Sequence, residues 1–262
     1  MNDRSEVKNR VAWATELLSS GDAAGCLSLL DGDEEERCDD GAVWQLRGLA
    51  YFELRDIPAA VLALERACLL VPLSPIAQLR LAESYIKTRR REVAVIILSH
   101  LGTLEALPED IAVSVTQGLN RVGQCELALQ FGLDSLRRFR SSHRLLFSVA
   151  KVMWRLNYSA DDVLPFAYQA HHIRPGNLRY RIFFAQLLLR AKRPREAARL
   201  LIAVELEQVD CIASLERMGL LLQQLHEFTA LRYCRARLQQ IGYELGSRYR
   251  PRKNTSNVDE PF

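Results

Sequence analysis

The chain of 262 residues is 48% hydrophobic and 26% charged, with a mean hydropathy of −0.09, the balance of an ordinary globular protein. It has no run of about 18 apolar residues, which excludes a membrane-spanning helix, and its net charge of +3 is short of the strongly basic footprint of a nucleic-acid binder. Six dispersed cysteines with no Cys-x-x-Cys pair argue against a disulfide framework or a zinc site.

In chain order, residues 1–31 read as a degenerate helix pair built on Trp13, Leu17, Gly21 and an apolar run to Leu30. Met1–Glu6 lacks the apolar core of a signal peptide, so a cytoplasmic location is expected. Residues 32–40 form an acidic linker. Residues 1–41 hold eleven Asp/Glu against four Lys/Arg, a net of −7, which leaves +10 for the rest of a chain whose total is +3.

From Gly41 a period of 34 residues sets in. A small residue recurs at Gly48, Ala82, Thr116 and Ala150, and a large one three positions later at Tyr51, Tyr85, Leu119 and Met153. Ala60, Ala94 and Ala128 keep the same interval. One residue is then inserted near Tyr158–Ser159, after which Ala170 and Pro175 echo Ala67 and Pro72. The pattern runs on through Ala185, Leu188 and Ala197, then through Gly219, Leu222 and Ala230. Six units follow: 41–74, 75–108, 109–142, 143–177, 178–211 and 212–245, with 246–262 a disordered basic tail.

The stretch from Trp44 through Gly48 and Tyr51, with Ala60, Ala67 and Pro72 at fixed offsets, resembles one complete tetratricopeptide repeat (TPR). Arg47 departs from it, standing where a leucine is expected. The resemblance implies an all-α fold of about fourteen antiparallel helices in a right-handed superhelix, and a function in binding proteins. Positions three and four apart share a helix face, so Trp44, Gly48 and Tyr51 form one stripe whose small member admits the paired helix. Pro58 and Pro194 fit the first turn of second helices, where a missing N–H does no harm. Pro165 fits the same way if Asp162 is the N-cap, and otherwise kinks its helix.

The resemblance also implies a concave groove lined by the first helices. Transferred by register, its lining includes Gln45 and Phe52, then Leu79 and Glu83, then Asn120. Further along come Arg144, Lys151, Trp154 and Arg155, and finally Arg179 and Arg190. Such a groove is apolar in its first half and cationic, with an exposed aromatic, in its second. It fits a protein or peptide with apolar anchors and an acidic stretch. Gln45 and Leu49 stand where a clamp for chaperone C-terminal tails needs lysine and asparagine, so those tails are not the expected ligand.

No Gly-rich phosphate loop, His-Glu-x-x-His, nucleophile elbow or paired-cysteine motif occurs, so no enzyme, cofactor or metal is expected. Neighbouring His171 and His172 point about 100° apart on a helix and cannot share one ion. The basic clusters at Lys87–Arg91, Arg137–Arg140 and Arg190–Arg195 read as solvated turns and helix ends, and Trp13 and Trp44 as packing residues. The expected function is thus a non-enzymatic adaptor or chaperone holding a partner segment, with neither membrane nor nucleic acid as partner. The alternatives are a self-associating scaffold or regulatory subunit, for which Leu220–Leu222 and Leu225 offer a terminal apolar surface, and a chaperone of type III secretion.

Overall fold

The computed structural model describes residues 3–30, 40–104 and 107–244. The acidic linker (but for Asp40) and the basic tail lie outside the described residues. Fourteen α-helices follow one another, with no strand among the described residues. They are α1 (Asp3–Ser19), α2 (Ala23–Leu30), α3 (Gly41–Glu53), α4 (Ile57–Leu70), α5 (Pro75–Lys87), α6 (Arg91–Gly102) and α7 (Glu109–Val122). Next come α8 (Cys125–Arg138), α9 (His143–Arg155), α10 (Ala160–Ile173), α11 (Leu178–Arg190), α12 (Pro194–Ile202), α13 (Ile212–Gln224) and α14 (Phe228–Glu244). The chain divides into two compact units, Met1–Gly132 and Leu133–Phe262, the division falling within α8.

Side-chain caps start many of these helices. Asp40 accepts a hydrogen bond from Ala42 N (2.8 Å) and Asp56 one from Ala59 N (3.1 Å), while Asn177 takes both Arg179 N (3.1 Å) and Tyr180 N (3.4 Å). Each satisfies amides that a helix start leaves without partners. Pro58, Pro75 and Pro194 sit in first turns. Pro165 does not. Ser159, not Asp162, caps α10, accepting from Asp162 N at 3.2 Å, so Pro165 lies inside the helix.

The turn inside every pair is built alike. Gly21, Arg55, Arg89, Gly123, Asn157, Lys192 and His226 adopt left-handed backbone, with φ between 57° and 92°. These positions are 34 apart except for 157 to 192, which is 35. In each case the next amide returns to the carbonyl of the repeat's large residue: Asp22 N to Leu17 O (2.9 Å), Arg90 N to Tyr85 O (2.8 Å), Tyr158 N to Met153 O (3.1 Å). This six-residue return closes a helix end that would otherwise expose its last carbonyls. The turn from Leu156 to Ser159 has four residues where that from Leu54 to Asp56 has three, which is where the 35-residue interval arises.

The small positions are buried without exception. Ala14, Ala82, Thr116, Ala150 and Ala185 are 0% exposed, and Gly48 and Gly219 are buried as well. A Cβ on Gly48 would stand 2.5 Å from Leu64 Cγ and 3.1 Å from Leu64 N, so α3 and α4 touch there through backbone. Thr116 satisfies its hydroxyl on Ala112 O at 2.8 Å.

Arg47, 4% exposed, reaches back to the first pair. Its Nη2 donates to Leu30 O at 2.7 Å, the last carbonyl of α2, and its guanidinium lies 4.8 Å from the Trp44 ring centroid. Trp13 stands 34 residues earlier, at the same register position, and is 65% exposed. The expectation that it packs is corrected. That register position looks toward the preceding pair, and no described helix precedes α1.

Candidate functional site

In the first unit, the residues that register assigns to a groove on α3, α5 and α7 are engaged with one another and with the core. Leu79 is 1% exposed and belongs to the core, which corrects its placement in the groove. It lies three residues before Ala82, and residues at that spacing share a helix face; Val113, before Thr116, is buried for the same reason at 0%. Gln45 is half-buried and its Oε1 accepts from Ser74 N at 2.8 Å, holding the start of α5. Phe52 is covered by Arg80 (4.7 Å) and Lys87 (4.3 Å). Arg80 in turn pairs with Glu83 at 2.9 Å and Glu53 at 3.3 Å. Asn120 is half-buried and accepts from the Cys125 thiol at 3.6 Å. The expected apolar half of the groove is therefore a surface of satisfied polar and cation–π contacts.

The second unit differs. On α9, Lys151 is half-buried, with its Nζ 6.0 Å from the centroid of Phe147. Phe147 itself packs on Tyr180 (4.4 Å) and Phe183 (5.5 Å) of α11. Burial, then the positive charges of Arg217 and Arg179, lower the Lys151 ammonium from the ordinary 10.5 to about 8. Arg217 on α13, half-buried, is lowered in turn by burial and by Arg179. Like charges from three first helices thus converge where solvent screening is reduced. One turn along, Arg190 lies over the Trp154 ring at 5.3 Å. Trp154 is half-buried beneath it, not the exposed indole the sequence suggests. Arg144, Arg155 and Arg179 are exposed, and Arg144 and Arg179 both act on the Tyr180 hydroxyl, which meets His143 Nδ1 at 2.9 Å.

Register thus brings Lys151 and Arg179 into one cluster and Trp154 and Arg190 into contact beside it. Arg217 was not foreseen. It falls outside the positions the resemblance assigns to the groove, and its only signal is a spacing that puts a cation on the helix after Arg179.

A second concavity, about 710 Å³, lies in the same unit among α10, α11 and α12. Its floor is Leu164, Tyr168, Phe184 and Leu188, and its rim mixes Asp161 and Glu196 with three arginines, of which Arg193 holds Glu196 at 2.7 Å. His171 Nδ1 and Arg181 Nε are buried there without hydrogen-bond partners. Burial, Arg181 and His172 lower the His171 imidazole below its ordinary range, so near neutrality the ring carries no charge. Among the described residues no three His, Cys, Asp or Glu side chains come together as a metal site would need, and no helix is long and apolar enough to cross a membrane.

No family model matches the chain and no curated protein is significantly similar to it. Solved structures are. The C-terminal part of a TPR repeat-containing protein from Cytophaga hutchinsonii superposes with a TM-score of 0.63 at 10% identity, over 89% of this chain and 95% of that one. PilF from Pseudomonas aeruginosa gives 0.63 at 12% identity, over 90% and 99%. YrrB, described as a TPR protein with an unusual peptide-binding site, gives 0.55 at 16% identity, over 70% and 90%. At such identities the likeness is one of fold.

Proposed function

The chain folds as tetratricopeptide-repeat proteins do, and from that premise we propose that it is a non-enzymatic adaptor that binds a partner protein through a segment laid on the first helices of its second unit. The observation that carries this reading is the convergence of Lys151, Arg179 and Arg217, beside Trp154 and Arg190. A lysine lowered by burial and by two like charges marks a face of positive potential, which attracts acidic partner groups. Phe147 and Trp154 supply flat apolar contact area next to those cations, and Trp and Arg are the residue types that most often dominate interfaces. The partner segment therefore carries acidic residues next to an apolar anchor. The peptide-binding site of YrrB belongs to a protein of the same fold and lends the reading support in kind.

The test is a peptide array probed with the intact chain, in which acidic–apolar, basic–apolar and neutral peptides are compared. Acidic–apolar peptides are expected to be retained, and raising salt to weaken them, since exposed charges are screened beyond about 8 Å at physiological ionic strength. Trp154→Ala, and Arg155→Glu with Arg179→Glu, should each lower retention at least tenfold. Equal retention of all peptide classes by folded wild type and variants would overturn the assignment of this face.

A second reading is self-association through the last helix pair. Leu220 (47%), Phe228 (63%) and Tyr233 (65%) are exposed there, and contiguous exposed apolar surface marks sites of protein association. Concentration-dependent sedimentation decides it: a single monomeric species from micromolar to near-millimolar concentration excludes it.

A further inference from the structure

The cleft among α10, α11 and α12 has a counterpart earlier in the chain that is built differently. The three helices begin at Ala160, Leu178 and Pro194, each 103 residues after the starts of α4, α5 and α6 at Ile57, Pro75 and Arg91, so every position in one set has a partner position in the other. In the earlier set the Glu65 carboxylate of α4 accepts from the Tyr85 hydroxyl of α5 at 2.7 Å. It also pairs at 3.2 Å with Arg90, the residue just before α6. A polar bridge therefore joins the two second helices across α5. The same positions in the later set hold Tyr168, Leu188 and Arg193. The carboxylate and the phenol that met it are both gone, and Arg193 turns instead to Glu196 at 2.7 Å. What remains between α10 and α12 is a cavity of about 710 Å³ with an apolar floor.

The rim changes in the opposite sense. Pro58 and Ile96 of the earlier set, the latter 69% exposed, give way to Asp161 and Arg199. The new charges sort by end. Where α10 and α12 begin, Asp161 and Glu196 outnumber Arg193. The other end lies about 15 Å along α10, where α12 stops three residues short of its counterpart α6. There Arg181 and Arg199 stand beside a His171 ring that is uncharged near neutrality. Arg181 donates its two Nη groups to neutral carbonyls, Ala203 O at 3.1 Å and Pro175 O at 2.9 Å, and its Nε has no partner. No acid pairs with it or with Arg199 among the described residues. Two uncompensated guanidinium charges thus stand at one end of an aromatic-floored cavity, where low dielectric strengthens their pull on an anion.

We propose that this cleft binds a small organic monoacid, with its flat apolar body on Leu164, Tyr168, Phe184 and Leu188, its carboxylate held by Arg199, and the charge of Arg181 drawing it to that end. The volume falls in the range of small-ligand sites, about 300–1,000 Å³, which are mostly apolar with a few placed polar groups. A second carboxylate at the far end of the ligand would meet Asp161 and Glu196, so the site selects against diacids. None of these residues belongs to the partner-binding face proposed above, and the two assignments stand or fall separately.

The experiment titrates the intact chain with three matched probes: 2-naphthylacetate, the neutral 2-naphthylethanol and the cationic 2-naphthylethylamine. Affinity is read by calorimetry. The place of binding is read from the imidazole C–H signals of the histidines, His171 being identified by its loss in His171→Gln. The acid is expected to bind about tenfold more tightly than the alcohol, the worth of a charge-assisted hydrogen bond, and the amine more weakly than either. The His171 signal should move while those of His100 and His226 stay. Decanoate should bind more tightly than sebacate, which carries a second carboxylate toward the acidic end. Arg199→Glu and Tyr168→Glu, both at exposed positions, should each lower affinity for the acid about tenfold. The second restores the carboxylate that the earlier set has at Glu65, within reach of Arg193. Equal affinity for acid and alcohol overturns the proposal, as does a His171 signal unmoved at saturation, or unchanged affinity in both variants when circular dichroism shows them folded. Retention of a tetrapeptide with a free C-terminal carboxylate, but of no free acid, overturns it too and makes the cleft a peptide site.

Discussion

Gly48 and Arg89 carry opposite lessons about backbone. At Gly48 the space for a side chain is occupied by Leu64, whose backbone nitrogen is 3.1 Å from any added Cβ. Gly48→Ala should therefore cost about 1–3 kcal/mol despite alanine's better helix propensity, read as a lower midpoint in urea. A wild-type midpoint would show that α3 and α4 are not in backbone contact there. At Arg89 (φ 64°) the left-handed turn is held by a residue with a Cβ. That conformation costs roughly 1–2 kcal/mol, against about 0.4–1 kcal/mol of extra unfolded-state freedom for glycine. Arg89→Gly is expected to stabilise by about 0.5–1 kcal/mol, while Gly123→Ala, at φ 92°, destabilises by a similar amount. The pH dependence of Lys151 gives a third test. Its folded value of about 8 lies below the ordinary 10.5, so between them the unfolded chain holds more protons and stability rises with pH. Cys211, lowered from 9 chiefly by the Ser214 hydroxyl, acts in the same direction, whereas Cys234, raised by burial from 9 to about 11, acts against both above pH 9. Between pH 8 and 9 Cys234 does not oppose the rise, and Cys211 adds to the contribution of Lys151. Lys151→Met should flatten the rise there and raise stability at pH 7, measured by urea titration at several pH values; an unaltered slope would show that Lys151 is solvated.

At the level of elements, the period was legible because it follows from packing. A small residue every 34 positions is what a close helix pair needs, and the first helices of the six later pairs begin at Gly41, Pro75, Glu109, His143, Leu178 and Ile212. The turns were not legible. Left-handed residues are sought as glycine or asparagine, yet Arg55, Arg89, Lys192 and His226 take that conformation because the helices on both sides impose it. Ser159, not Asp162, is the cap, so the helix starts three residues earlier than a cap at Asp162 would allow and Pro165 falls in its interior. The site was half legible. Register located Lys151, Trp154, Arg179 and Arg190. It misplaced Leu79, since a position assigned to the groove by counting also sits three residues from a packing position. It passed over Arg217, whose interest comes from neighbours on two other helices. Arg47 was seen only as a departure from consensus, and its structural reason, the Leu30 carbonyl, lies seventeen residues away. Arg47→Ala should therefore speed hydrogen exchange in α1 and α2 by tenfold or more while leaving α5 and α6 as they are. Equal acceleration throughout would mean that Arg47 supports more than the first pair.

For the molecule as a whole, the order of contacts matters more than their strength. In the first unit each helix from α1 to α7 packs on its sequence neighbours, and first helices meet the next first helix as α1 with α3, α3 with α5, and α5 with α7. The second unit repeats the scheme from α9 to α14, with α11 against α13. Contacts this local give stability as a sum of pair and neighbour contributions. Leu215→Ala, at a position 0% exposed in α13, should cost about 2–5 kcal/mol locally. Amide exchange in α13 and α14 should then quicken while that of α3 and α4 holds its wild-type rate. Matching acceleration in both places would mean one cooperative block.

The turn that recurs in every helix pair has a mechanical corollary. Each left-handed residue with its returning amide closes a loop whose two arms are drawn apart side by side when the chain is stretched from its ends, so force parts one pair at a time like the teeth of a zip. A unit of about 34 residues released in this way lengthens the tether by roughly 110 Å. An optical trap would therefore record a staircase of nearly equal extensions at low load, and the pair containing Asn157, with its extra residue, would give the one tread that is slightly longer than the rest.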